Sequence, residues 1–163
     1  MNEPDSPDLP AIPETLEEAV DQIVSVMDET TKVQWRAAKS PEFTSNFHFG
    51  GGMSMRNGWG LWHHKTPLSR WLLERRIFHG DDASQVIFNA VWRRLKGLSI
   101  DDAWLAERAA FYEDYWARTA GLTWDQKPIP GWKAPKNGWK YRRNRATGEW
   151  EMERDDGDEA ESP

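Results

Sequence analysis

The sequence predicts a mainly α domain: a compact bundle of four to five helices with a glycine-rich loop, followed by a C-terminal β-hairpin. Three observations carry that expectation. Between residues 15 and 121, apolar side chains recur at helical spacing. Each run is bracketed by recognisable start and stop residues and joined to the next by a short link. After Leu122 the texture changes to proline, glycine and tryptophan, and then to strict alternation.

Residues 1–12 are polar, carry three prolines and few large apolar side chains, and are expected to be disordered. The helical domain is assigned to 13–121. Thr15 and Glu18 form a T-x-x-E capping box, in which each side chain would satisfy an orphan backbone donor. Leu16, Ala19, Val20, Ile23, Val24 and Met27 then give one apolar face. A second short helix is expected around Thr31–Lys39, stopped by Ser40-Pro41. Gly50–Gly60 reads as a loop or a broken helical turn. Thr66-Pro67 is an N-cap followed by proline at the first helical position, and that helix is expected to end near His79-Gly80. Asp81 or Asp82 would cap the next helix, with Ala83, Val86, Ile87, Ala90, Val91 and Leu95 as its core face and Gly97 as its stop. Ser99 is the expected cap of a last long helix, roughly 100–119, closed by Gly121.

Residues 122–153 form a second region. QKPIPGWKAPKNGWK is rich in turn residues, and WKYRRNRATGEWEME reads as a hairpin. Trp139, Tyr141 and Arg143 alternate on one arm, Trp150 and Met152 on the other. A lone hairpin is marginal in water, so it is expected to dock on the bundle through its tryptophans. Residues 154–163 read as a solvated acidic tail.

The net charge of -6 divides into three blocks. Residues 1–29 carry -9, residues 30–145 carry +10, and residues 146–163 carry -7. A basic body between acidic ends could attract phosphate-bearing partners, with the ends shielding it, or the ends could simply keep it soluble. The chain has no cysteine, which excludes a disulfide framework and thiolate metal sites. No apolar run approaches the ~20 residues of a membrane span, and the acidic start is unlike a secretory signal. A cytoplasmic protein with no membrane contact is the expectation.

Phe47–Asp82 is the segment in which a site is expected, because it gathers a glycine run, an Arg-Asn pair and all four histidines. His48, Gly50, Gly52, Arg56, Asn57, Trp59, Trp62, His79 and Asp82 are the candidate ligand or structural residues. Histidine spacing favours no metal: there is no HExxH, and His63-His64 are adjacent. His48 and His79 read better as residues tying the glycine loop to the helix start at Asp81. Gly50–Gly52 with Arg56 and Asn57 could present N–H groups and a guanidinium to phosphate, but neither a P-loop nor GxGxxG is present. The competing reading is glycine packing under Trp59 and Trp62, with Arg56 paired to Asp81 or Asp82. No enzyme template fits, and no cofactor or metal is implied.

A second candidate surface is Trp124, Trp132, Trp139, Tyr141, Arg142, Arg143 and Trp150. Its lysines, arginines and rings over 133–145 could bind nucleic acid. Glu149, Glu151 and Glu153 on the opposite arm would neutralise much of that charge across the strands. If the tryptophans are not all docked, they form a patch that calls for a protein partner. Trp71, Trp92, Trp104 and Trp116, by contrast, fall at helical positions and read as core, with Trp92 and Trp104 alternatively under the hairpin.

HFGGGMSMRNGWGLW, followed by PLSRWLLERRIFHGDDASQVIFNAVWRRLKG, resembles a family of small uncharacterised bacterial and phage proteins. The shared core HFG-x-G-x-x-x-RN-x-WGLW is matched at His48, Phe49, Gly50, Gly52, Arg56, Asn57, Trp59, Gly60, Leu61 and Trp62. An I-x-H-x-DD-x-S segment is matched at Ile77, His79, Asp81, Asp82 and Ser84. The resemblance covers about residues 13–97, and the chain departs from it at Gly80, where proline is expected. It brings no activity with it. The favoured reading, from the residues, is a small cytosolic interaction protein that grips a macromolecular partner with the glycine-loop surface or the tryptophan-rich C-terminal segment. A phage origin, by resemblance, would make modulation of a host factor a natural role. The alternative is a phosphate-, nucleotide- or nucleic-acid-recognising domain, enzymatic or not, using the Gly-rich loop with Arg56, Asn57 and His79.

Overall fold

A computed structural model describes residues 11–146, 148 and 150–157, with Trp150 described in its backbone only. The expectations for residues 1–10, Glu149 and 158–163 therefore lie outside the described residues, as does the Trp150 ring. The described chain is mainly helical and ends in a two-stranded antiparallel hairpin. It has six α-helices where four to five are expected.

α1 (Leu16–Val26) starts where Thr15 accepts from the Glu18 N–H. The expected capping box is only half formed, because the Glu18 carboxylate reaches one residue further back, to the Glu14 N–H at 2.8 Å. α2 (Glu29–Ala37) starts two residues earlier than expected, since Asp28 caps it through the Thr31 N–H. Ser40 then caps a 3-10 segment, Pro41–Phe47, instead of merely ending a helix. Of the two expectations for the glycine-rich stretch, a loop or a broken helical turn, the structure has the helical one. A π-helical turn, His48–Gly52, runs directly into α3 (Met53–Gly58).

α4 (Pro67–Glu74) has the expected Thr66 cap, completed by a reciprocal bond from Ser69. It stops before His79, because Arg76 turns left-handed at φ 63°. α5 (Gly80–Lys96) is capped by neither aspartate: His79 Nδ1 accepts from the Asp81 N–H. Gly97 ends it in the left-handed conformation, φ 72°, which suits glycine. α6 (Asp102–Ala120) is capped by Asp101 through the Trp104 N–H, and Ser99 instead donates to the Asp101 carboxylate.

α5 is the central helix. Val86, Ile87, Ala90 and Val91 are fully buried, and α5 packs on α1, α2, α3, the 3-10 segment and the π turn. Leu16, Ala19, Val20, Leu61, Leu68, Leu72 and Ile77 close the core around it. Trp92 and Trp104 are buried as expected of core rings, whereas Trp71 and Trp116 are only half-buried. Neither Trp92 nor Trp104 lies at the groove where the hairpin meets the bundle.

β1 (Trp139–Arg143) pairs with β2 (Trp150–Arg154), Tyr141 opposite Met152 and Arg142 opposite Glu151. The hairpin and the C-terminal half of α6 share an open groove lined by Phe111, Tyr115, Tyr141 and Met152, and Arg118 donates across it to the Met152 carbonyl. Of the strand tryptophans expected to dock, Trp139 is half-buried, and the Trp150 ring lies outside the described residues. Two tryptophans that precede the hairpin pack on the bundle: Trp132, whose ring fills the space beside Gly121, and Trp124, whose ring meets Phe78 and the Arg76 guanidinium.

Candidate functional site

The π turn, α3 and the start of α5 meet at one side chain, Arg56. It is 4 % exposed, so its charge must be matched inside the fold. Nη1 donates to Ser84 Oγ at 3.0 Å and Nη2 to the His48 carbonyl at 3.0 Å. Nε lies 3.2 Å from Asp81 Oδ1, near enough for an ion pair but not aligned as a hydrogen bond. Asp81 also faces both histidines, His48 Nε2 and His79 Nδ1 each at 3.7 Å. One carboxylate thus gathers Arg56, His48 and His79. The pairing of Arg56 with an aspartate falls on Asp81, not on Asp82.

Gly52 makes room for this arrangement. A Cβ there would lie 2.9 Å from Arg56 Nη1 and 3.1 Å from the Phe47 carbonyl. Trp62 covers the cluster from outside, its ring 5.7 Å from the Arg56 guanidinium. That ring also rests on Gly80, where a Cβ would meet it at 2.6 Å. Gly80 occupies the first position of α5, which proline also tolerates. Glycine therefore serves the contact with Trp62, not the backbone.

Asp82 points the other way. Its Oδ2 accepts from Trp116 Nε1 at 2.7 Å, and burial pushes its carboxyl up to about 7 against the pull of that bond. The buried Tyr112 hydroxyl is pushed up too, by burial first and then by the Asp82 charge. His79 lies between the rings of Trp62 and Trp116, at 5.4 and 4.8 Å, and burial lowers its pKa. A neutral His79 agrees with its Nδ1 accepting from the Asp81 backbone.

Of the expected residues, His48, Gly52, Arg56, Trp62 and His79 come together around Asp81. Asp82 is adjacent but turned to α6. Trp59 is a half-buried core neighbour whose carbonyl accepts from Thr66, and Asn57 faces solvent. Sequence reading does not single out Trp116 as the partner of Asp82, because a contact 34 residues away leaves no local pattern. His63 and His64 are elsewhere: His63 accepts from the Lys65 N–H, and His64 lies over Phe78. Among the described residues no three His, Asp or Glu side chains are grouped so as to hold a metal ion. Arg56 has its nitrogens turned inward, so an anion would have to displace Asp81 to reach it.

The outer face differs. Phe49 is 80 % exposed and Met53 50 %, with Gly50 and Gly51 open between them. A Cβ on Gly50 would find no atom within 4 Å, and its φ is not in the left-handed region. On the second candidate surface Trp124, Trp132 and Trp139 are half-buried, while Tyr141, Arg142 and Arg143 are exposed. Lys140 pairs with Asp155 at 2.9 Å and Arg142 with Glu153 at 3.9 Å.

A family model described as Domain of unknown function (DUF6794) matches residues 12–95, from before α1 to the last turn of α5. The π turn and the Asp81 cluster lie inside that match, and α6 with the hairpin lies beyond it. No curated protein and no solved structure matches the chain. No described helix is long and apolar enough to cross a membrane.

Proposed function

We propose that this chain, which belongs to the family Domain of unknown function (DUF6794), is a protein-interaction module whose docking face is the outer side of the π turn. The observation that carries the reading is the pairing of Phe49, 80 % exposed, with a glycine the fold does not need. A glycine inside a helix costs roughly 0.5–1 kcal/mol relative to alanine. Gly52 offsets that cost by admitting Arg56; Gly50 has no such contact. A bare backbone beside an exposed ring suits close approach by another chain. π turns also recur at functional sites, because the extra residue re-aims the side chains beside it.

The Arg56–Asp81 cluster serves this face from behind. It ties the His48 carbonyl to α5 and so holds the turn that presents Phe49. The partner is a protein surface with an apolar cavity able to receive a phenyl ring. The hairpin is the weaker candidate, since its charges pair across its own strands.

Quantitative affinity capture from cells of the source organism tests this. Wild type and Tyr141→Asp are expected to retain the same stoichiometric protein partner, and Phe49→Asp to lose it. Equal recovery by Phe49→Asp, with loss in Tyr141→Asp, would move the interface to the hairpin.

A further inference from the structure

A groove of about 570 Å³ opens on another side of α5, between the 3-10 segment and α6. That size falls within the range of about 300–1,000 Å³ typical of small-molecule sites. Its wall contains Gln85, Asn89, Arg108, Phe111 and Tyr112, with Glu42 also on the lining.

The polar groups at its base are half used. Asn89 is 6 % exposed; its Oδ1 accepts from Gln85 Nε2 and lies 3.1 Å from Thr44 Oγ1, whose one proton goes to the closer Pro41 carbonyl at 2.6 Å. The bond from Gln85 orients the amide and leaves its NH2 without a partner among the described residues. Arg108 Nε is buried with no hydrogen-bond partner among those residues. The nearest acid to its guanidinium is Glu107, at 3.9 Å and largely solvated. Glu42 forms no ion pair with it among the described residues. The side chain as a whole is 24 % exposed, so a ligand in the groove would be met by the exposed part of the guanidinium and not by the buried Nε. Beside it the Arg108 guanidinium sits 5.0 Å over the Phe111 ring, which is half exposed.

We infer that this groove binds a small organic carboxylate, with Arg108 and the Asn89 amide as donors and Phe111 beneath the apolar body of the ligand. A guanidinium fork matches the two oxygens of a carboxylate. The charge balance selects the monoanion. Arg108 is the one cation among the described lining residues and can match one negative charge, so the second charge of a phosphate dianion would stay unmatched in a groove that also holds Glu42. This site is separate from the π-turn face, and neither reading depends on the other.

The test is a titration of the full chain followed by NMR at the Asn89 side-chain NH2 and the Arg108 Nε–H. The probes are benzoate, benzyl alcohol and inorganic phosphate. Benzoate is expected to give saturable shifts at both groups with a Kd on the order of 1 mM or tighter. Benzyl alcohol and phosphate are expected to bind at least about tenfold more weakly, as loss of the paired charge implies. Arg108→Gln should weaken benzoate by about tenfold or more. Asn89→Asp keeps the oxygen used by Gln85 but replaces the free donor with a charge, and should abolish binding. Absence of saturable benzoate shifts in the wild type overturns the proposal. So does phosphate binding more tightly, or benzoate affinity unchanged in whichever of the two variants keeps the native amide spectrum.

Discussion

At the residue scale, two adjacent aspartates behave oppositely because they face different surroundings. Asp81 is half-exposed and meets Arg56, His48 and His79. Asp82 is buried against Trp116 and near Tyr112, and burial outweighs both its indole donor and the helix N-terminus that would favour its charge. Its carboxyl is raised from 3.8 to about 7, so the folded state holds a proton that the unfolded state has released over that interval. Stability from this group is therefore full below about pH 4 and falls as pH rises towards 7. Asp82→Asn keeps an oxygen for Trp116 and removes the titration. Urea unfolding across this range should show the variant more stable at pH 8, by on the order of 2–4 kcal/mol, with a flatter pH dependence. An unchanged slope would mean that Asp82 is already ionised in the fold. Sequence reading places both acids at a helix start, which is right, but their division of labour depends on Trp116. That residue comes from α6, 34 positions away, and only tertiary packing brings it there.

At the element scale, helix starts are legible wherever a short polar side chain caps the next backbone N–H. Thr15 and Thr66 are read directly from the sequence for that reason. The misplaced starts share a cause: two neighbouring candidates compete, and geometry chooses. Asp101 displaces Ser99, and His79 displaces both aspartates, because its ring nitrogen sits two residues before the first free N–H. The glycine run reads as a loop or a broken helical turn because glycine disfavours helix locally. Here Arg56, bonded to the His48 carbonyl and Ser84, holds it helical from a distance. Two substitutions separate the roles of its glycines. Gly50→Ala meets no atom and should raise stability by about 0.5–1 kcal/mol, the ordinary helix gain. Gly52→Ala collides with Arg56 and the Phe47 carbonyl and should cost about 1–3 kcal/mol, as overpacking does. Chemical denaturation of the pair reads both signs at once. Gly50→Ala should also weaken partner binding while the fold gains, a combination that a purely structural glycine would not produce.

At the scale of the whole molecule, α6 joins the family segment to the C-terminal hairpin. Residues 12–95 hold the π turn and the Asp81 cluster, and Trp116 and the hairpin come from beyond them. The charge blocks along the chain suggest a basic surface, but the fold pairs much of it. Arg94 meets Glu17 and Asp21 of α1, and the hairpin cations meet their cross-strand acids. Such pairing depends on which helices and strands lie side by side, and a linear charge count does not contain it. The proposed docking face is the solvent side of the π turn, where Phe49 and Met53 are exposed. A photo-crosslinking phenylalanine analogue placed at position 49, and separately at 141, in the source organism measures directly which face meets another chain. A discrete protein adduct from position 49 and none from 141 is the expected result. An adduct from position 141 alone would contradict the account, as would silence at position 49 from a chain that still captures a partner.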